Sequence, residues 1–326
     1  MGSPSERAAS YTAEDTFHLH SLPGAEKTIY LDFDGHVTTG TYWNQYWDID
    51  PLITPPYDID GDPDNFSTSE LQRIQRIWKT VAEDFRPFDV NVTTEDPGVD
   101  ALRRTCPDDP YWGIRVVFGA DQADTGYGGI AYIDSFRWYS DTPNFVFNVG
   151  ERGAAEAASH EVGHTLGLFH HGTASDEYYA GHGSGATGWA PIMGVGYYRA
   201  LVQWSRGDYP GANNPSQHDL EIMTTGYGIR FRDDDHGDTR ETATPLNASQ
   251  ETEFFAEGII ERPTDVDFFR FQTGTGPVTL QIDPFHYYPN LDILARLYDE
   301  NGHEMWGWRI RATYPPRARC GSSCTR

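Results

Sequence analysis

Residues 160–170 read His-Glu-Val-Gly-His-Thr-Leu-Gly-Leu-Phe-His, and this run restricts the fold of the 326-residue chain more than any other. Arg152–Leu168 is Ala-rich and helical in character. On a helix, His160 and His164 lie four residues apart and project from one face. Glu161 is rotated by about 100° from His160 around the same axis. Gly167 can take a positive φ and end the helix in a sharp turn. That turn would bring His170 back towards the histidine pair.

Two imidazoles at this spacing can reach one ion, and a third completes the protein share of a tetrahedral zinc shell. Three protein ligands leave one position for water, which marks a catalytic site rather than a structural one. Glu161 is placed to reach that water instead of the ion. The spacing therefore gives Zn²⁺ as cofactor, His160, His164 and His170 as ligands, and Glu161 as the general base of a metal-assisted hydrolysis.

The elements around this helix alternate in type. Thr28–Phe33 reads as a strand ending at Asp34-Gly35. Ser69–Phe85 carries apolar residues at helical spacing, from Leu71 through Ile74, Ile77, Trp78, Val81 and Ala82, with Ser67 or Ser69 as N-cap and Pro87 as stop. Four strand-like runs follow: Phe88–Thr93, Tyr111–Phe118, Gly129–Ile133 and Asn144–Val149. Residues 48–65 read as an Asp- and Pro-rich loop. Residues 172–215 read as a long Gly- and Tyr-rich segment, and Gln217–Thr224 as a further helix. An acidic linker spans 231–244. Short alternating runs beyond it, Phe254–Ile260, Asp267–Gln272, Val278–Ile282 and Ile293–Tyr298, predict a small all-β sandwich. The expected architecture is an α/β (α+β) catalytic region over 26–230 followed by a β domain over 245–312, with tails at 1–25 and 313–326.

The formal net charge of −25 argues against nucleic acid and against anionic membrane surfaces as partners. No apolar run reaches the length of a membrane span. The first residues lack the apolar stretch of a signal peptide. Three cysteines, Cys106, Cys320 and Cys324, do not make a disulfide framework, although the last two could pair. A monomer is expected.

The residues at 160–170 resemble the metzincin clan of zinc endopeptidases. That resemblance implies a twisted mixed sheet with an active-site helix, a protein or peptide substrate, and secretion. It also implies a methionine in a tight turn beneath the metal; Pro191-Ile192-Met193-Gly194 is the matching segment, with Met193 as the Met-turn. In the clan a sheet-edge strand before the helix pairs with extended substrate. Gly128–Asp134 is similar in position, which assigns Gly129, Ile130 and Ala131 to substrate binding. Two departures stand out. His171 follows the third histidine where better-known branches carry Asp, Glu, Pro or Ser. The tyrosine that some branches place two residues after the methionine is absent, while Tyr197 and Tyr198 come four and five later and either stabilise an oxyanion or line the pocket. The departures point to a bacterial branch.

Other constellations compete for a role. Asp58, Asp60 and Asp62 alternate in a turn that either holds Ca²⁺ or is simply solvated. Asp233, Asp234, Asp235 and Asp238 form a second acidic run, read as linker. Leu31-Asp-Phe-Asp-Gly35 resembles the nucleophile motif of haloacid-dehalogenase phosphatases, with Asp32 as nucleophile and Asp34 as acid. Its required downstream lysine has only Lys79 as a candidate. Asp265-Val-Asp-Phe-Phe-Arg-Phe271 with Leu291-Asp-Ile-Leu294 and Leu297-Tyr-Asp-Glu-Asn-Gly302 resembles the bacterial pre-peptidase C-terminal domain over about residues 236–302, cut short after that point. A binding protein that uses this module on polymeric substrate is the alternative function.

Overall fold

The computed structural model describes residues 11–250 and 253–310, with the backbone alone for 247–250 and 306–310. The Cys320–Cys324 pair and the 313–326 tail lie outside the described residues. The elements run β1 (Lys27–Asp32), β2 (His36–Thr38), α1 (Tyr42–Trp47), β3 (Leu52–Thr54), α2 (Thr68–Asp84), β4 (Asn91–Thr93), β5 (Trp112–Phe118), β6 (Gly129–Ile130), β7 (Asn144–Val146), α3 (Glu151–Thr165), β8 (Trp189–Pro191), β9 (Leu201–Gln203) and α4 (Asp219–Gly226).

One five-stranded sheet organises them in the order β4-β1-β5-β7-β6. β1 runs parallel to β4 and β5, and β5 runs parallel to β7. β6 closes one edge antiparallel to β7, with Gly129 opposite Val146 and Ile130 opposite Phe145. The sheet is thus mixed, as expected. Strand alternation sends Ile29 and Leu31 to one face with Ile114, Val116 and Phe118, and these join Ile74, Ile77 and Val81 of α2 and Ala154, Ala155 and Ala158 of α3 in the main core. The alanines of α3 have no bulk, so this helix can press close to the sheet. The period-2 and period-3.6 patterns therefore meet on one buried face.

The helix α2 begins where its cap allows. The Ser67 hydroxyl accepts from the Glu70 amide, and the Glu70 carboxylate accepts from the Ser67 amide at 2.7 Å, a reciprocal capping box.

Several expectations need correction. Residues 48–65 do not form a single loop: β3 lies within them and pairs antiparallel with β2. Together with α1 this hairpin covers the second face of the sheet, where Trp43, Leu52, Val117 and Phe145 form a smaller core. Trp43 is fully buried and its indole donates to the Pro143 carbonyl at 2.6 Å. Residues 11–25 are not a loose tail. Thr16 and Leu19 are buried, the Ser21 amide donates to Val92 O, and His20 bridges Thr93 beyond the sheet edge. Within 172–215, β8 and β9 pair in parallel.

The small sandwich does not assemble among the described residues. Beyond α4 there are three separate two-stranded pairings: Thr244–Pro245 with Phe269–Arg270, Asn247–Gln250 with Glu253–Phe255, and Ile293–Tyr298 with Glu304–Ile310. Val278–Ile282 forms no strand despite its alternation. This region nevertheless touches the part of the chain built around the five-stranded sheet. Asn290 Nδ2 donates to Asp84 Oδ1 at 2.7 Å, Gln203 Nε2 donates to Asn290 O, and Arg152 lies 4.5 Å from the centre of the Tyr288 ring.

Candidate metal centre

α3 ends as its sequence demands. Gly167 has φ +81°, its amide donates to His164 O at 2.9 Å, and the Leu168 amide donates to Gly163 O at 3.0 Å. This is the paired hydrogen bonding of a Schellman turn, which a residue in the left-handed region makes possible. The chain then reverses and returns His170 to the helix face. The three rings surround one point, with centroid separations of 4.8 Å for His160–His164, 4.7 Å for His164–His170 and 5.2 Å for His160–His170.

Each ring is oriented from behind. His160 Nδ1 donates to Ile192 O at 2.9 Å, and His164 Nδ1 donates to Leu168 O at 2.7 Å. His170 Nδ1 meets Glu177 Oε1 at 2.8 Å. A carbonyl only accepts, so the proton of His160 and of His164 sits on Nδ1, and the carboxylate holds the His170 proton in the same way. Every Nε2 is left with its lone pair turned inward. His164 Nε2 and His170 Nε2 are only 3.0 Å apart. Two acceptors facing each other at that distance repel unless a cation lies between them. Tetrahedral zinc with nitrogen ligands at about 2.0–2.1 Å separates those nitrogens by about 3.3 Å. The donor set therefore fits zinc, and these three histidines could hold it. Burial pushes the His164 imidazole down to about 4 and that of His160 well below its ordinary value, so both are neutral at pH 7, the state that binds metal.

Glu161 is buried beside this group; removal from water raises its carboxyl to about 8, a shift that the positive charge of a bound zinc would oppose. It lies against the edge strand: a Cβ on Gly129 would meet Glu161 Cγ and Oε1 at 2.8 Å. Glycine at 129 is what lets the strand and the carboxylate share this space. Ala131 falls just beyond β6, so only Gly129 and Ile130 of the expected three lie in the strand. Past it, the Asp134 amide donates to His164 O at 3.0 Å, fastening this segment to the end of α3.

Met193 is fully buried below the histidines, where a Cβ on Gly163 would come within 2.4 Å of its Sδ. The Gly194 amide donates to Pro191 O at 3.0 Å, closing the tight turn around the methionine. Met193 O also accepts from the His171 amide at 2.8 Å. His171 itself is directed away from the metal point. Its Nε2 lies 3.0 and 3.2 Å from the two oxygens of buried Asp219, which also accepts from the Ser205 amide. His171 thus links the turn to the start of α4.

The expected tyrosines divide. Tyr198 is 91% exposed, with its ring edge-on to Tyr197. Tyr197 is half-buried, with its hydroxyl 3.4 Å from Asn148 Nδ2 and close to Gly128 at the start of the edge strand. The ring that stands over the histidines is Tyr178, 4.3 Å from His170 and 6.0 Å from His160 between centroids. Burial, then Glu177 and Glu161, push its hydroxyl up to about 12. No local pattern in the sequence singles out Tyr178, since its position is set by the loop that also delivers Glu177. Arg199 was missed for the same reason. Its guanidinium donates to the carbonyls of Ala180, Gly183 and Gly181 at 2.6, 2.7 and 3.2 Å and ties that loop to the segment after Met193.

The remaining sequence candidates are engaged elsewhere. Asp58 and Asp60 approach Glu70, but Asp62 does not join them. Asp58 Oδ1 accepts from the Asp60 and Gly61 amides, and Glu70 serves the α2 cap. Asp32 is buried in an ion pair with Arg115 at 2.7 Å, and Arg115 also binds Asp141. An aspartate held in this way is not presented to a phosphate.

Residues 99–171 match the model of metallo-peptidase family M12B, Reprolysin-like. The match spans β5, β6, β7 and α3 and includes all three converging histidines and Glu161. It supports a metzincin-type metallopeptidase, for which the substrate class is protein or peptide. Among curated proteins none matches the chain. Among the described residues no helix is long and apolar enough to cross a membrane.

Proposed function

We propose that this chain is a zinc-dependent endopeptidase in which His160, His164 and His170 hold the metal through Nε2 and Glu161 moves the proton. The observation that carries the reading is the inward convergence of three neutral imidazoles, each fixed by an acceptor on its Nδ1, beside a buried carboxylate. When bound, zinc supplies Lewis acidity, lowering the pKa of a water and polarising a carbonyl. Glu161 takes the proton of the attacking water on its carboxylate and returns it to the leaving amine. Extended peptide lies along the free edge of β6 at Gly129–Ile130 and continues past Ala131, adding a strand to the sheet. Met193 forms the floor of the site. Tyr178 forms the wall next to His170 and excludes water, and Tyr197 lines the approach near Gly128. Secretion follows from the resemblance to secreted metzincins.

Metal analysis combined with cleavage-site mapping on a mixed peptide library tests this reading. The wild-type chain should carry one zinc and cut internal bonds. His164→Ala should lose both. Stoichiometric metal retained in His164→Ala, or release of terminal residues only, would overturn it.

A further inference from the structure

Among the described residues no backbone amide or basic side chain donates to either oxygen of the buried Glu261 carboxylate. Glu261 is 2% exposed. Leaving a charge uncompensated in this way costs several kcal/mol in general terms, and native structures rarely carry one without a partner. Its surroundings make matters worse. Oxygens of Asp234 and Asp265 lie within 4.8 Å of it and of each other. Asp235 and Asp267 belong to an adjoining group, and Oδ1 of Asp265 and Oδ1 of Asp267 are also unsatisfied. Among the described residues no ion pair joins Glu261 to a basic side chain. Arg232 Nε is already given to Phe88 O at 3.1 Å, and Arg262 Nη2 to Arg232 O at 3.2 Å.

We propose that Asp234, Glu261 and Asp265, with Asp235 and Asp267 beside them, form a calcium site that ties residues 234–238 to the turn at 261–267. The ligands are oxygens, the preference of a hard cation. The one histidine nearby is spent: His236 Nε2 lies 2.7 Å from Glu257 O and Nδ1 lies 3.0 Å from Thr244 Oγ1, so no nitrogen is free for zinc. The two segments are already stitched alongside each other. Asp238 Oδ1 accepts from the Val266 amide at 3.1 Å and the Phe268 amide donates to Gly237 O at 3.2 Å, while within the turn Asp265 Oδ2 accepts from the Glu261 amide at 2.7 Å. The backbone therefore forces the carboxylates together, and a divalent cation is what cancels their repulsion. The acidic run that reads as a plain linker becomes one half of a metal clamp. It is fixed to the catalytic region by the Arg232 amide, which donates to Pro87 O at 2.9 Å.

The test uses the full zinc-loaded chain in metal-depleted buffer with one equivalent of zinc restored, titrated with calcium chloride. Calcium binding by calorimetry and the melting temperature are both followed. Wild type should bind calcium and melt several degrees higher with it. Glu261→Gln and Asp265→Asn should lose the calcium response and keep their zinc. Without calcium, Glu261→Gln should melt no lower than wild type, because it removes an uncompensated charge. Asp58→Asn/Asp60→Asn should respond to calcium as wild type does. Failure of wild type to bind calcium, a wild-type response in Glu261→Gln, or loss of the response in Asp58→Asn/Asp60→Asn would each overturn the proposal.

Discussion

The sulfur of Met193 lies directly under Gly163, so close that a methyl group on that glycine would stand 2.4 Å from Sδ. The contact explains why the residue before His164 has no side chain. It also couples the floor of the site to the helix that carries two of its three histidines.

Gly163→Ala should therefore overpack the contact between α3 and the methionine turn. A loss of about 1–3 kcal/mol is expected from core overpacking, read as a lower urea midpoint. Met193 must move, so zinc affinity should fall with it.

Gly167 is constrained twice. Its φ is +81°, and a Cβ there would overlap Tyr227 Oη, which donates to Asp134 Oδ1 at 2.7 Å. Gly167→Ala should cost about 1–2 kcal/mol from the left-handed backbone alone, with the overlap in addition. His170 lies three residues on, so the variant should also bind zinc more weakly. Adding Tyr227→Phe should relieve the overlap and recover part of the affinity in a zinc titration.

The α2 cap is remote from the histidines. Ser67→Ala should lower stability by about 1 kcal/mol and leave kcat unchanged. A change in kcat without a change in stability would show that α2 positions the site more directly than its packing implies.

Stability should also depend on pH through Glu156. Burial on α3 raises its carboxyl to about 6, against an opposing pull from Arg152, whose Nε lies 3.3 Å from Oε1. The folded chain therefore holds this proton more tightly than the unfolded chain does. Its contribution is complete below the ordinary carboxyl value of 4.5 and is lost as pH rises through about 6. Glu156→Gln should flatten that slope, by on the order of 1–2 kcal/mol across the window. Urea denaturation at several pH values from 4 to about 7 measures it.

The catalytic half was largely legible before the structure because its signals are local. Ser67 and Pro87 bound α2, apolar and strand-like runs mark β1 and β5, and His160 to His170 encode helix, turn and return within eleven residues. What escaped depends on tertiary contacts. Tyr42–Trp47 is too short to show a helical period, and its cap uses Thr41 and Asn44 rather than the more common Ser and Glu pair. Tyr178 and Arg199 act across loops far apart in sequence. Val278–Ile282 alternates like a strand but gains no partner among the described residues, so a period-2 pattern does not supply the pairing it needs. Asp234 and Glu261 lie 27 positions apart, and only the fold brings their carboxylates together.

The central claim is that Glu161 carries the proton while the histidines carry the metal, and Glu161→Gln separates the two. Zinc content and peptide hydrolysis should be measured on the same preparation of this variant. One zinc per chain should remain, and kcat should fall by about 10²–10⁴-fold, the usual contribution of a general base. Turnover equal to that of wild type with zinc in place would contradict the assignment.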